Sequence, residues 1–189
     1  MLGTAQPQLV NNTLCLDPRQ NQSRIENKEI LSSSQNILYS LASQVIGYHF
    51  CQVENAATCS VPEWVHNLAY QLSQVPSLKA YHDLLSSKYD LRSNLSLVSC
   101  MSDPSAAFVT GILNPLEWLR KLGKISGEDR FLLIDALCED ELHRSDYGDT
   151  ITTFISKHRD TFPDWLKLVC SVRSDKREIA SNLQFKHIR

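Results

Sequence analysis

The chain has 189 residues, the length of about one domain, and its 42% apolar and 21% charged residues are an ordinary globular composition. Its net charge of −2 argues against a nucleic-acid-binding protein, because such proteins usually carry a basic patch or stripe. No apolar run approaches the ~20 residues that a membrane helix needs, and residues 1–13 lack the charged start and apolar core of a secretory signal.

The first 40 residues are predicted to be a flexible linker. Residues 1–27 are rich in Asn, Gln and Ser and show no periodicity. Residues 28–44 carry apolar side chains at loosely helical spacing, namely Ile30, Leu31, Ile37, Leu38 and Leu41. The linker 1–40 is therefore expected to end in the start of a helix, and a domain is expected to fill residues 41–189.

Three short apolar runs predict strands. They occupy residues 45–51, 131–134 and 165–172, and each leads into a polar segment. Helical patterns separate the runs, and a short helix with the start of a further strand is expected in residues 179–188. Strands that alternate with helices predict an α/β fold with a largely parallel sheet.

Capping residues mark two helix starts after the first strand. Ser60 precedes Glu63 by three positions, as in a capping box, and predicts a helix start. The apolar face of that helix is predicted to consist of Trp64, Val65, Leu68, Ala69 and Leu72. Ser77 is predicted to cap the next helix, which is expected to run through Leu85.

Two more helices are predicted further along. Asp103 suits the N-cap and Pro104 the first position of a helix, and Pro115 is expected to kink it. The buried stripe of this helix is predicted to consist of Phe108, Ile112, Leu116 and Leu119. Residues 123–130 are predicted to be a polar turn, and residues 149–158 another helix.

The most informative segment is FLLIDALCEDE, residues 131–141. Four apolar residues lead into Asp135, and Glu139 follows four positions later. Ligands of a parallel sheet bind beyond the carboxyl ends of its strands. There Asp135 would hold Mg²⁺ directly or through water, and Glu139 would orient a water for attack on a γ-phosphate. This pattern favours a Walker B strand; the alternative is an apolar strand that ends in a solvated acidic turn.

The next predicted strand leads into a cation, Arg173. A cation at this end of a strand can sense or stabilise the charge of a γ-phosphate. The alternative is a strand-terminal arginine in solvent. Strand, carboxylates, helix, strand and arginine nevertheless follow one another in the order that P-loop NTPases require.

The six cysteines show no paired spacing; they are residues 15, 51, 59, 100, 138 and 170. Without a secretory signal they are predicted to be reduced and mostly buried thiols. His49, Cys51, Cys59 and His66 lie near one another in sequence, but a zinc site needs four ligands at better-defined spacing. A buried strand with ordinary thiols is therefore favoured over a metal site.

Three separated segments closely resemble the TANC family of scaffold proteins: YHFCQVENAATCSVPEWVHNLAYQL (48–72), LIDALCEDELHRSDYGDT (133–150) and FPDWLKLVCSVRS (162–174). The rolling pebbles proteins also belong to this family. Its members carry ankyrin and tetratricopeptide repeats. They also carry an NTPase-like region of the STAND class, related to the NACHT ATPases. The resemblance covers residues 41–189.

The resemblance implies a regulatory ATPase-type module in a cytoplasmic adaptor that assembles signalling complexes, at synapses, at the cell cortex or at muscle-cell fusion sites. By motif, Asp135 takes the Walker B position and the Mg²⁺-binding role. Glu139 takes the acidic position after it, and Arg173 the sensor position on the following strand. Protein partners within such a complex are implied, and self-association is a further expectation.

The sequence departs from the family pattern at the phosphate-binding loop. No GxxxxGK[ST] motif occurs, and none of the six glycines adjoins Lys-Ser or Lys-Thr. The N–H cradle and the lysine that hold the β- and γ-phosphates are therefore absent. Cys138 also stands where NACHT ATPases commonly have an acidic residue. The chain alone is expected to bind no cofactor and to hydrolyse nothing.

The expected fold is accordingly an incomplete P-loop NTPase sheet with flanking helices, lacking the first strand and the P-loop. One function left open is that of a fragment of a scaffold protein that acts through protein–protein assembly. The other is half of an ATP-hydrolysing switch, whose Walker A lies upstream and whose cofactors are ATP and Mg²⁺.

The missing strand has a physical consequence, because it is normally central in such a sheet. The strands at 131–135 and 166–172 are expected to be left with unpaired edges. Exposed strand edges promote association, so the isolated chain is expected to be marginally stable or to aggregate.

Overall fold

The computed structural model describes residues 35–143 and 148–183. The chain divides into two compact units, Met1–Ala42 and Ser43–Arg189. Helix α1 covers residues 35–44, where the sequence predicts the start of a helix. The linker predicted for residues 1–27 and the strand predicted to end the chain at 188 lie outside the described residues.

The chain is α/β, with a three-stranded parallel sheet in the described residues. Its strands are β1 (Val45–Phe50), β2 (Arg130–Asp135) and β3 (Leu166–Cys170), in the order β1-β2-β3. The three predicted strands are thereby confirmed. The expectation of an unpaired edge at 131–135 is wrong, because β2 lies in the centre and pairs on both sides. Within the described residues, β3 pairs on one side only.

Helices occupy most of the remaining described chain. They are α2 (Val61–Gln74), α3 (Lys79–Ser87), α4 (Tyr89–Asn94), α5 (Leu97–Ser102), α6 (Pro104–Phe108), α7 (Asn114–Lys121), α8 (Ile151–His158) and α9 (Arg177–Leu183). Short 3₁₀ turns lie at Ala56–Cys59, Pro76–Leu78, Leu137–His143 and Arg159–Thr161. The sequence analysis did not predict α4 and α5, which have six residues each and little periodicity to detect.

The predicted caps meet different outcomes. The Asp103 side chain accepts a hydrogen bond from the Ala106 N–H at 2.8 Å, so this cap is confirmed. Helix α2 begins directly after Ser60 as predicted, but the Ser60 side chain makes no capping hydrogen bond. Ser77 does not cap α3, because it lies inside the 3₁₀ turn that precedes this helix.

The kink predicted at Pro115 takes the form of a π-helical turn. This turn, Val109–Leu113, joins α6 to α7. Proline lacks an N–H and its ring crowds the preceding turn, and a wider π turn is one of the known ways in which a helix absorbs such a defect. The stripe predicted for this helix is buried as expected at Phe108, Ile112, Leu116 and Leu119.

Helices cover one face of the sheet. The side chains on this face include Leu132, Ile134 and Leu166, all buried. Helix α2 packs on β1, and beyond it lies an aromatic cluster in which the Trp64, Phe108 and Phe154 rings lie within 5.5–6.0 Å of one another. Full burial of each such side chain contributes about 1.5–3 kcal/mol, so this layer supplies the main stabilisation.

The opposite face of the sheet is uncovered within the described residues. Its exposed apolar side chains are Tyr48, Phe50, Leu133 and Val169, with exposed fractions of 57%, 52%, 36% and 43%, and the half-buried Phe131 lies on the same face. We call this surface the open face. The fully apolar run 131–134 is typical of a central parallel strand that is buried on both faces. Strand β2 is central, but only alternate residues of it are buried. Parallel sheets are normally covered on both faces.

Gly47 lets α2 approach β1 closely. Replacing Gly47 with alanine is expected to lower the free energy of unfolding by about 1–3 kcal/mol. The added Cβ would lie 2.9 Å from Leu132 Cδ2 and 3.0 Å from Leu68 Cδ1. Chemical denaturation of G47A measures this change. The matched control is G127A, where an added Cβ meets nothing within 4 Å. An unchanged midpoint for G47A would contradict the close packing.

Candidate functional site

The carboxyl edge of the sheet brings Asp135 and Ser171 together. Asp135 ends β2 with an exposed side chain, and its carboxylate accepts a hydrogen bond from the Ser171 hydroxyl. The Ala136 N–H donates to the same hydroxyl oxygen at 2.9 Å. Ser171 thus orients the carboxylate and holds the exit of β2 against the exit of β3. Sequence reasoning missed Ser171, which became a candidate only once the register placed it beside Asp135.

The backbone at this edge adopts a conformation that non-glycine residues rarely take. Ala136, directly after Asp135, has a φ of 55°. Such left-handed residues cost of the order of 1–3 kcal/mol and cluster at functional sites. The surrounding contacts hold it in place, since Leu137 N–H donates to the Ser171 carbonyl at 3.1 Å and Ser171 N–H donates to the Ile134 carbonyl at 2.9 Å.

Glu139 and Arg173 line one cavity beyond this edge, with a volume of about 690 Å³. Glu139 lies in the 3₁₀ turn that follows β2, and Arg173 lies three residues past the end of β3. Asp135 is not among the residues that line the cavity. The structure therefore brings two of the three predicted site residues together and places the third at the adjoining strand end.

Arg173 is engaged by a neighbouring carboxylate. Its Nε and Nη2 donate to the two oxygens of Asp175, each at 3.1 Å. These hydrogen bonds raise the pKa of Arg173 and lower the pKa of Asp175. Arg173 would have to leave Asp175 in order to contact a phosphate. Because both side chains are largely exposed, water can replace either partner.

The cavity carries more negative than positive groups. Its lining includes the carboxylates of Glu139, Glu141, Asp175 and Glu178, against the two cations Arg173 and Lys176. Clefts lined by one sign of charge attract ions of the opposite sign. This cavity therefore suits a cation, and it would accept a polyphosphate only together with a divalent metal ion.

Asp140 has a structural role that the sequence analysis did not foresee. It is 1% exposed, whereas the sequence analysis offered a solvated acidic turn as the alternative to a Walker B strand. Its carboxylate accepts hydrogen bonds from the Thr152 N–H at 2.8 Å and from the Thr152 hydroxyl. Asp140 thus ties the acidic turn to the first turn of α8, and burial raises its pKa to about 6.

The thiols near the site are buried, as predicted. Cys51, Cys59 and Cys138 are buried and Cys170 is half-buried, and all are free; Cys15 lies outside the described residues. Burial raises the pKa of Cys51 and raises that of Cys170 to about 12, so these two thiols stay protonated at neutral pH. Within the described ranges, no group of three or more His, Cys, Asp or Glu residues is placed to hold a metal ion.

The residues present supply only some of the groups that a magnesium–nucleotide site needs. Asp135 and Glu139 supply the carboxylate oxygens that Mg²⁺ prefers, and Ser171 orients one of them. The phosphate-binding part does not fit, because the sequence contains no glycine-rich loop followed by Lys-Ser or Lys-Thr.

Comparison with known proteins adds no family to this picture. No protein-family model matches the chain, and no solved structure matches it significantly. The described helices include none that is both long and apolar enough to cross a membrane. The evidence for the α/β fold and its parallel sheet is therefore the structure alone.

Replacing Asp140 with asparagine is expected to remove one component of the pH dependence of stability. Asparagine keeps an acceptor for the Thr152 N–H but cannot ionise. The pKa of Asp140 in the folded state, about 6, lies above the ~3.9 of an exposed aspartate. The folded state then binds more protons than the unfolded state between these values, so this component of stability falls as the pH rises through the window.

The wild type should therefore lose stability relative to D140N as the pH rises from about 4 to about 7. Urea denaturation of both proteins at several pH values measures the difference. D90N, which changes an exposed aspartate of α4, is the control and should parallel the wild type. Parallel curves for D140N would show that Asp140 is not buried as described.

Proposed function

We propose that the chain is part of an NTPase-like regulatory module in a scaffold protein that resembles the TANC family. It acts through protein–protein assembly and not through nucleotide hydrolysis of its own. One observation carries the proposal: Asp135 ends the central strand of a parallel sheet, and Glu139 and Arg173 line one cavity just beyond the same edge.

The placement of these groups supports the NTPase-like class. Ligands of parallel α/β sheets bind beyond the carboxyl ends of the strands, and phosphoryl transfer needs a metal-binding carboxylate, a group that orients the nucleophile and a cation. These three groups are supplied by Asp135, Glu139 and Arg173, in that order along the chain. Four hydrogen bonds hold this edge in place. Two join the backbones at the exits of β2 and β3, one runs from the Ala136 N–H to the Ser171 hydroxyl, and one from the Thr152 N–H to the Asp140 carboxylate.

Three features argue against hydrolysis by this chain alone. The sequence offers no phosphate-binding loop. Arg173 is held by Asp175. The cavity carries an excess of carboxylates, which repel a polyphosphate. A nucleotide would have to displace Asp175 from Arg173 and overcome the repulsion of the carboxylates. It would have to do so without the backbone N–H groups that normally hold its phosphates.

The open face supports the assembly role. Soluble proteins seldom leave large contiguous apolar patches exposed, and such patches commonly mark interaction sites. The four exposed apolar side chains of the open face lie on three adjacent strands, so they form one continuous surface. Covering this surface would release ordered water and stabilise an assembly.

The shared cavity of Glu139 and Arg173 favours a second candidate, half of an ATP-hydrolysing switch whose P-loop is supplied by sequence outside this chain. Magnesium and ATP would then supply the electrophilic phosphate. Asp135 would hold the metal ion, Glu139 would orient the attacking water, and Arg173, released from Asp175, would stabilise charge on the phosphate.

The first test measures magnesium–ATP binding to this chain by equilibrium dialysis. We expect no saturable binding up to millimolar nucleotide, because nothing in the sequence replaces the phosphate-binding loop. D135N is the matched control and should behave like the wild type. Saturable binding that D135N weakens would contradict the proposal and would favour the switch.

The second test applies to any longer protein that contains this chain together with a GxxxxGK[ST] motif. There E139Q is expected to lower kcat by about 10²–10⁴-fold, the usual contribution of a group that moves a proton, with unchanged nucleotide affinity. E54Q, a change at an exposed glutamate outside the cavity, should leave kcat unaltered. Equal turnover in E139Q and the wild type would remove Glu139 from its assigned role.

A further inference from the structure

We propose that the open face docks the open face of a second copy of this chain, with the strands of the two sheets antiparallel. The inference names a partner for the assembly role proposed above and rests on that role. It starts from the charges that flank the open face: Lys167 at its amino-terminal end and Asp135 at its carboxyl-terminal end, both exposed.

The strand register places these charges relative to the apolar side chains. Residues paired across parallel strands project from the same face of a sheet. Lys167 pairs with Phe131, and Val169 pairs with Leu133, which also pairs with Tyr48. The apolar row therefore crosses the middle of the open face, with Leu133 at its centre.

The carboxyl-terminal row completes the pattern. Phe50 pairs with Asp135, and the Ser171 hydroxyl donates to the Asp135 carboxylate. Asp135 thus lies two residues beyond the central Leu133 on β2. Lys167 lies on the neighbouring strand, two residues before Val169. The cation and the anion are therefore equally distant along the strands from the central row.

This symmetry fits a two-fold axis that runs along the central row, between the two sheets. Such an axis reverses the strand direction of the second copy and keeps each strand over its own counterpart. Leu133 then faces Leu133 of the second copy. Each Lys167 then lies over β3 of the other copy, one strand away from Asp135, which itself faces Phe131. The long lysine side chain can span that one strand, so two identical ion pairs close the interface. An interface of this kind is isologous, as in most homodimers.

The other in-plane two-fold axis, which runs along β2, is disfavoured by the same charges. It would keep the strands parallel and would place Asp135 directly over Asp135 of the second copy. Like charges opposed across an interface are strongly unfavourable. The charge pattern therefore selects the antiparallel arrangement, which also agrees with the near alignment of strands in packed sheets.

Docking would also cover the Asp135 carboxylate. A carboxylate paired with Lys167 of a second copy is not free to hold a metal ion. The self-docked chain and the magnesium-binding switch are therefore alternative states of the same residue, and a chain assembled in this way is held in a form that does not catalyse hydrolysis.

The test is sedimentation velocity of the purified chain over a range of concentrations, with reversal of each charge. K167E and D135K are each expected to weaken the dimer at least ~10-fold, because each variant opposes two like charges at both ends of the interface. An equimolar mixture of K167E and D135K should recover the dimer, since both pairs are attractive in the mixed complex. K88E changes an exposed lysine between α3 and α4, on the helical side of the sheet, and should behave as the wild type.

Y48S keeps the test decisive if D135K does not fold. It removes an exposed ring from the central row and should weaken the dimer at least ~10-fold. Y70S is its control, because Tyr70 is 66% exposed on α2 and lies off the open face.

A chain that is monomeric at every concentration would overturn the inference. So would association that K167E, Y48S and the mixture leave unchanged, which would indicate pairing at the edge of β3 or another surface. Magnesium–ATP dialysis of the same preparation tests the proposed function independently of either result.

Discussion

A parallel sheet is normally covered on both faces, and the described residues cover only one face of this sheet. Helix α2 and the aromatic cluster beyond it bury the first face, with Gly47 allowing the close approach. On the second face the strands present tyrosine, phenylalanine, leucine and valine to solvent. The stability of the chain and its choice of partner therefore follow from how this second face is covered.

The carboxyl edge of the sheet is built more firmly than a solvated acidic turn would be. Ser171 joins the exits of β2 and β3, and Asp140 ties the turn to α8. These contacts fix the backbone around Asp135 and Glu139, whereas Arg173 lies three residues past the end of β3 and pairs with Asp175. An edge of this kind can present carboxylates to a metal ion or to a cation of another protein, but the sequence supplies no phosphate-binding loop beside it.

Much of the fold could be predicted from local signals. Apolar runs predicted the three strands, and the Asp103 cap predicted the start of α6, because both depend on residues close in sequence. The apolar run of β2 is typical of a central strand, but β2 was also expected to have one unpaired edge. That expectation assumed a different strand order, and β2 in fact pairs with both β1 and β3. The short helices α4 and α5 were missed because six residues show too little periodicity.

The candidate site was less predictable, because its contacts join residues far apart in sequence. Ser171 reaches Asp135 across 36 positions, and Asp140 reaches Thr152 across 12. A list of residue types could not separate the buried Asp140 from its exposed neighbours, nor show that Asp175 holds Arg173.

Hydroxyl-radical footprinting across a range of protein concentrations measures whether the open face is an interface. Oxidation of Tyr48 and Phe50 should fall as the concentration rises, while Tyr70 stays equally reactive. Equal oxidation of all three residues at every concentration would contradict an interface at the open face.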